Sequence, residues 1–237
     1  MKTAPGSIDG TGKYVTEAGS TDKIKDADNN ISYVNSKGRI LDGPEYLTVF
    51  NGKTGEAVQT IDYYPERGDI NKWGKSNDNG NRVDRFLAGV AYLDGVHPSL
   101  IMCRGYYGRS VVVAYDWNGT NLSKKWVLDS GTDSSNNFYG QGNHSLSVAD
   151  LDNDGFDEIV YGSAAVDHDG KVLHSTKWGH GDALHVSDFN NDGKQEIFSV
   201  LEEKPNYGTA YRDGDTGKEF WHSKAGQDTG RGIMINA

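Results

Sequence analysis

The sequence lacks several features that stabilise or locate other classes of protein. Cys103 is the only cysteine in 237 residues, so no disulfide can form within the chain. No stretch approaches the ~20 consecutive apolar residues of a transmembrane helix. The first residues also lack the apolar segment of a signal peptide. We therefore expect no membrane segment, and if the protein is exported, its leader has been removed or lies outside this sequence.

Positive charge is scarce. The chain has 24 Lys and Arg against 34 Asp and Glu, a net charge of -10 and a pI near 5.1. Affinity for a phosphate backbone comes mainly from clusters of cations, so a nucleic-acid partner is not expected. An acidic chain can still bind an acidic polymer where divalent cations or a few arginines bridge the two.

Helical apolar spacing is also missing, whereas short strands and tight turns recur. The chain has 31 glycines and 13 tyrosines. One example is the strand pattern Val111–Tyr115, which is followed by the turn pair Asn118-Gly119. Such pairs supply the positive φ angles that two-residue hairpins need. The pattern predicts an all-β protein.

A longer repeat indicates the architecture. Residues 148–160 align without a gap on residues 186–198, 38 positions later, and residues 90–102 form a degenerate third copy that has lost most carboxylates. Repeats of roughly 40 to 50 residues with several strands each are typical of β-propeller blades. We expect residues 1–237 to form part of a β-propeller, with a β-sandwich as the alternative.

Both full copies of the repeat contain an acidic loop. Alternate acidic side chains can turn toward one centre, and a glycine permits the sharp bend, which is the pattern of a calcium loop. Strands rather than helices flank the loops, so an EF-hand is not implied. The alternative is a solvated acidic turn. The predicted ligands are Asp150, Asp152, Asp154, the Phe156 carbonyl and Glu158 in the first loop, and Asp188, Asn190, Asp192, the Lys194 carbonyl and Glu196 in the second.

A second constellation lies just upstream of these loops. His144 and Asp182 occupy matching repeat positions, and His180 precedes Asp182 by two residues. Equivalent positions in neighbouring blades lie side by side, so these side chains and a carboxylate at the end of the next strand, Glu202 or Glu203, can converge on one ion. A lone buried histidine would instead indicate a hydrogen bond. A mixed His and carboxylate set normally suggests zinc or manganese over calcium, although composition alone leaves the metal open.

Cationic and aromatic residues gather in glycine-rich segments that include Arg82, Arg104-Gly105-Tyr106-Tyr107 and Arg231. Arginine binds carboxylates bidentately, and aromatic rings stack on sugar faces. A cleft with both would suit an acidic polysaccharide. The alternative is that the arginines bridge neighbouring blades.

Several segments together resemble the bacterial rhamnogalacturonan lyases of polysaccharide lyase family 11. They are residues 43–50, 81–95, 142–150, 179–183 and 230–232, and the resemblance extends over nearly the entire chain. It implies an eight-bladed propeller of which this chain is an internal part, with calcium ions in several blades and in the substrate cleft.

The resemblance also implies roles for individual residues. His144, His180, Asp182 and Glu202 match cleft calcium ligands, which favours calcium over zinc, and Arg231 matches a functional arginine. We expect substrate contacts from Asn143, Arg104, Tyr106, Tyr107 and Lys204. A catalytic lysine of the family would lie beyond Ala237.

The resemblance therefore predicts a secreted bacterial lyase, monomeric when complete, that cleaves the rhamnose–galacturonate backbone of rhamnogalacturonan I, a pectin, by calcium-assisted β-elimination. The alternative is a non-catalytic calcium-binding propeller with integrin-like repeats that binds carbohydrate or protein. Its calcium loops would look the same, but a scaffold would not need the additional His, Asp and Arg set.

Overall fold

The computed structural model describes residues 1–19, 25–26, 28, 30–74 and 80–235. In these residues the chain forms fifteen β-strands and two short 3₁₀ helices, Val15–Glu17 and Ile70–Trp73. The all-β prediction is therefore confirmed. Within the same ranges, no helix has the length and apolar character needed to cross a membrane.

The chain divides into two compact units. The first comprises Met1–Ile70 together with Gly80 and Trp117–Ser123. Its sheet is antiparallel, in the order β1 (Lys2–Thr3), β2 (Tyr46–Phe50) and β3 (Ala57–Asp62). Buried threonine hydroxyls link the three strands, since Thr48 Oγ1 lies 2.8 Å from Thr3 Oγ1 and 3.0 Å from Thr60 Oγ1. Such cross-strand pairs stabilise a sheet and help to fix its register.

The second unit comprises residues 71–74, Asn81–Asp116 and 124–235. Three four-stranded antiparallel meanders, in which each strand pairs with the next, account for the remaining strands. They are β4 (Phe86–Ala91), β5 (Ser99–Arg104), β6 (Val111–Trp117) and β7 (Leu122–Asp129); β8 (Ser147–Ala149), β9 (Glu158–Tyr161), β10 (Ala164–Val166) and β11 (Val172–Ser175); and β12 (Gly181–Ser187), β13 (Glu196–Leu201), β14 (Gly208–Asp213) and β15 (Glu219–Lys224).

The three meanders pack face to face. Ile101 and Val112 form a core cluster with Ile159, whereas Val160, on the other face of β9, packs with Ile197. Because successive strand residues point to opposite faces, β9 supplies apolar side chains to both cores. Burial of these faces is the main force that holds the meanders together.

The first strands of the meanders lie side by side, since β8 contacts both β4 and β12. Asn143 and Gly181 form a parallel bridge just before β8 and at the start of β12. We define the entry edge as the edge where the first strands begin and the second strands end; these are β4, β8 and β12, and β5, β9 and β13. Side chains that precede first strands or follow second strands therefore meet at this edge.

Candidate metal and substrate site

Two histidines and two carboxylates meet at the entry edge. His180 directly precedes β12 and Glu202 directly follows β13, and the two strands pair there through Gly181 and Leu201. His144 is brought to the same place because its N–H donates to the Gly181 carbonyl, at 3.3 Å. The sequence-predicted residues of this constellation are thus adjacent, for reasons of strand register.

The side chains form a compact group. His144 Nδ1 lies 3.2 Å from Asp182 Oδ1, and His180 Nε2 lies 3.3 Å from Glu202 Oε1. Ligand atoms of His144, His180 and Asp182 all lie within 4.8 Å of one another. Separations of this size allow the atoms to share one cation.

The hydrogen bonding of His180 indicates what its second nitrogen can do. The ring is fully buried, and Nδ1 lies 2.8 Å from the carbonyl oxygen of Gly142. A carbonyl only accepts, so Nδ1 carries the proton and Nε2 carries a lone pair. Nε2 has no hydrogen-bond partner among the described residues. The Nε2 lone pair and the Glu202 carboxylate oxygen, 3.3 Å apart, repel each other unless a proton or a cation lies between them. An Nδ1–H that donates to a carbonyl is also the usual arrangement in a metal-ligating imidazole.

Protonation of the ring is an unfavourable way to relieve this repulsion. Burial lowers the pKa of His180 to about 3, and the neighbouring His144 contributes to the decrease. Burial also lowers the pKa of His144 and raises that of Glu202, the latter with a contribution from Asp228. Desolvation therefore favours neutral rings, which are the form that binds metals.

An aromatic and cationic wall adjoins the histidines. The ring of Tyr107 lies 4.0 Å from that of His180, and the guanidinium carbon of Arg82 lies 3.6 Å above the Tyr107 ring. The guanidinium of Arg85 lies 5.3 Å from the Tyr106 ring. Two arginines thus border the histidine pair, and the contribution of Arg85 was not predicted from the sequence.

One basic and one acidic residue, Arg231 and Asp228, complete the group. Arg231 is largely exposed, with Nη1 3.6 Å from Asp182 Oδ2. Asp228 lies with Asp182 and Glu202 in a second set of ligand atoms within 4.8 Å of one another. Sequence reasoning did not include Asp228 among the ligands, although it lies in the same glycine-rich segment as Arg231.

Three of the predicted substrate-binding residues are instead fully buried: Asn143, Arg104 and Tyr106. Arg104 donates from Nε to the Val83 carbonyl at 3.0 Å, and the Tyr106 hydroxyl donates to the Asn81 carbonyl at 2.9 Å. They have no exposed surface in this structure and support the site from beneath, so direct sugar contact by these three residues stays a prediction.

Tyr107 and Lys204 are at least partly exposed. Tyr107 forms the wall beside His180, so its position agrees with a role in substrate binding. Lys204 is exposed in the turn after β13, and among the described residues no ion pair or side-chain hydrogen bond joins it to the histidine group.

The two acidic loops have the same backbone hydrogen bonds. In the first, Asp154 N–H donates to Asp150 Oδ1 and Gly155 N–H to Asp150 Oδ2, each at 3.1 Å. In the second, Asp192 N–H and Gly193 N–H donate to Asp188 in the same way, at 3.1 and 2.9 Å. The conformation requires positive φ at Asn153 and Asn191, 63° and 61°, and at the following glycines. Asparagine and glycine tolerate this region best, so the sequence suits the loop.

Ligand oxygens gather in both loops. Those of Asp150, Asp152 and Glu158 lie within 4.8 Å of one another, as do those of Asp188, Asp192 and Glu196. The N–H groups of Phe156 and Lys194, the two residues predicted to offer carbonyl ligands, donate to Asp154 and Asp192, both at 2.9 Å.

The loops differ in the hydrogen bonds that their closing glutamate accepts. Asn190 Nδ2 donates to Glu196 Oε1 at 3.1 Å, and the Tyr211 hydroxyl donates to Glu196 Oε2 at 2.9 Å. In the first loop Asp152 replaces Asn190, and the buried Glu158 Oε1 has no hydrogen-bond partner among the described residues.

Burial therefore raises the pKa of Glu158 to about 8. His168 completes another ligand set with Asp154 and Glu158. Its imidazole, from the β10–β11 turn, was missed by the sequence analysis because it lies outside the repeat.

Comparison with known proteins decides the family. The model of the C-terminal domain of rhamnogalacturonan lyase family 11 matches residues 1–237. The chain belongs to this family.

Two curated relatives of Bacillus subtilis (strain 168) show how far the family match extends. The chain is 52% identical over 239 residues to the rhamnogalacturonan endolyase YesW, covering 100% of this chain and 36% of the relative. It is also 52% identical to the rhamnogalacturonan exolyase YesX, covering 37% of that relative. This family 11 chain thus spans a little over a third of the length of these relatives.

Solved structures support the same family. The crystal structure of YesW matches 98% of this family 11 chain and 38% of its own, with a TM-score of 0.87 and 53% identity. A Bacillus licheniformis rhamnogalacturonan lyase matches with the same TM-score, identity and coverage.

Proposed function

We propose that this family 11 domain is part of a rhamnogalacturonan lyase and carries its cation site. The observation that supports this most strongly is the pair formed by His180 Nε2 and Glu202 Oε1, a lone pair and a carboxylate 3.3 Å apart in a buried place. We take the substrate to be the acidic polymer named in the relatives, and the protein to be secreted and monomeric.

The architecture that we propose is part of a β-propeller. The support is the packing of the three meanders, in which first strands lie side by side and β8 contacts β4 and β12. Propeller blades pack in this way around an axis. The entry edge would then line the substrate cleft of a larger propeller.

The residues fit a calcium ion, with the histidines, Asp182, Glu202 and Asp228 as its ligands. Carboxylates are hard oxygen donors of the kind calcium prefers, and the two imidazoles extend the set. When bound, calcium would neutralise the carboxylate of a galacturonate residue and so acidify its C5 proton. We propose structural calcium ions for the two acidic loops as well.

The reaction would be a β-elimination. A base removes the C5 proton, the electron pair forms the C4–C5 double bond, and the glycosidic oxygen at C4 leaves with its bonding pair. No water is consumed. We assign Arg231 to the electrostatic clamp rather than the base, because a guanidinium offers hydrogen-bond donors and no acceptor. Its position beside Asp182 suits a contact with the developing negative charge.

The test uses a hybrid lyase, in which this chain replaces the matching segment of YesW. The hybrid is incubated with rhamnogalacturonan, with and without a chelator, and ultraviolet absorbance of the unsaturated product is followed. We expect turnover that the chelator abolishes. Binding of the polymer with no gain in absorbance would refute the lyase and favour the non-catalytic calcium-binding propeller.

A pair of variants sharpens this test. Arg231→Ala should abolish turnover and leave the melting temperature unchanged, since the side chain is exposed. Arg39→Ala, at another exposed arginine, is the matched control and should behave as the parent. Retained turnover in Arg231→Ala would remove this residue from the mechanism.

A further inference from the structure

A second cleft opens at the same edge of the second unit, outside the histidine group. Its volume is about 520 Å³, and its lining includes Lys72, Arg109, Gly131, Thr132 and Tyr139. Among the described lining residues two are charged, and both are cations. In a chain of net charge -10 this is a local reversal of sign.

The floor of the cleft is closely packed. A Cβ added to Gly108 would meet the Trp73 carbonyl oxygen at 2.7 Å, Gly74 Cα at 2.8 Å and the Tyr139 hydroxyl at 3.0 Å. Three chain segments therefore converge there, with the fully buried Trp73 beneath them. Such packing leaves a preformed surface, which lowers the entropy cost of binding a ligand.

Arg109 is held in a fixed orientation. Its Nε donates to Asp129 Oδ1 at 2.9 Å and its Nη2 to Asp129 Oδ2 at 2.6 Å, and its guanidinium lies 4.5 Å from the Trp73 ring. Asp129 offsets one of the two positive charges, so the net charge of the cleft comes from the exposed Lys72.

The cleft is also close to the histidine group. Tyr107 packs on His180 and Arg109, two residues later, lines the cleft, so their Cα atoms are at most ~7 Å apart. Likewise, His144 follows Tyr139 by only five positions, a span of at most ~18 Å. A short stretch of polysaccharide can bridge these distances.

We propose that this cleft is a uronate-binding subsite, in which Lys72, beside the oriented guanidinium of Arg109, attracts the carboxylate of a sugar residue next to the one that is cleaved and Tyr139 contacts its ring. The inference rests on the proposed lyase function for the identity of the polymer. A cation-lined cleft with an aromatic side chain matches an acidic sugar in both charge and shape.

The test compares Lys72→Ala and Lys72→Glu with Lys218→Ala, a control at an exposed lysine in the β14–β15 turn, at the opposite end of the strands. Binding of rhamnogalacturonan oligosaccharides is measured by calorimetry, and KM and kcat are measured in the hybrid lyase. The same oligosaccharides with their carboxyl groups reduced serve as the neutral probe.

We expect Lys72→Ala to weaken binding of the acidic oligosaccharide and raise KM by about 1.5- to 5-fold, the range of an exposed ion pair, and Lys72→Glu to have a larger effect. The value of kcat and the affinity for the reduced probe should not change. Equal binding by the Lys72 variants and the control would overturn the subsite, as would an equal loss with the reduced probe. Absence of turnover in the parent hybrid would refute the lyase, whereas the calorimetric comparison would still decide on the subsite.

Discussion

Exchange of Asp152 for asparagine should raise the stability of the calcium-free domain and lower the further stabilisation that calcium adds. The second loop already carries Asn190 at this position, where its oxygen accepts from Asp192 N–H at 2.8 Å and its amide donates to Glu196 Oε1. Asp152→Asn can form both bonds, since Asp154 N–H already donates to Asp152 Oδ1 and Glu158 Oε1 lacks a donor.

The magnitude follows from the repulsion that the exchange removes. Ligand oxygens of Asp150 and Asp152 lie within 4.8 Å. Two unit charges at that distance repel by ~0.9 kcal/mol in water and ~3.5 kcal/mol at an effective dielectric constant of ~20. We therefore expect the calcium-free variant to gain about 1–3 kcal/mol in free energy of unfolding. For a chain of this length, each kcal/mol raises Tm by about 2–4 °C.

Calcium should reduce the advantage of the variant over the parent, because an amide is a weaker ligand than a carboxylate. A Kd raised tenfold lowers the calcium-dependent stabilisation by ~1.4 kcal/mol at saturating ion. The assay is thermal unfolding in a chelator and in excess calcium. The reciprocal exchange Asn190→Asp is the control and should lower Tm in the chelator and increase the gain from calcium. A calcium-free Asp152→Asn domain that melts below the parent would refute the reasoning.

Further predictions concern Glu158, Arg212 and His180. The pKa of Glu158 is raised to about 8, so the calcium-free fold binds more protons than the unfolded chain from about pH 4.5 to 8. The free energy of unfolding should therefore fall as pH rises through this window. In urea titrations, Glu158→Gln should flatten this pH dependence. Arg212→Met should lower the free energy of unfolding by about 3 kcal/mol in denaturant titrations, since it deprives the buried Ser199 hydroxyl and the Gly162 carbonyl of their donor; an unchanged midpoint would contradict this. His180→Asn should weaken calcium binding at the entry edge at least about tenfold by calorimetry, whereas His185→Asn, within the following strand β12, should not; equal affinities would exclude His180 as a ligand.

Periodicity and turn chemistry were sufficient to predict much of the fold. The Asp-Gly and Asn-Gly pairs mark hairpins, and the repeat of residues 148–160 at residues 186–198 places equivalent carboxylates, Glu158 and Glu196, at the start of β9 and β13. His144, His180 and Asp182 were found because repeats convert spacing along the chain into adjacency in space.

Burial was the part that sequence could not supply. Arg104 and Tyr106 have the residue types of a sugar site, yet both are fully enclosed. The same residue types occur at buried and at exposed positions, and only the packing shows which position a residue occupies. His168, Asp228 and Arg85 were missed for the converse reason, since no repeat links them to the ligands they approach.

The central claim is that a cation lies between His180 and the nearby carboxylates. Anomalous diffraction from crystals soaked in manganese or calcium tests it directly. The account predicts a peak bonded to His180 Nε2, with oxygens of Asp182 and Glu202 at about 2.0–2.6 Å from the ion. Absence of a peak, with His180 Nε2 protonated and donating to Glu202, would contradict it.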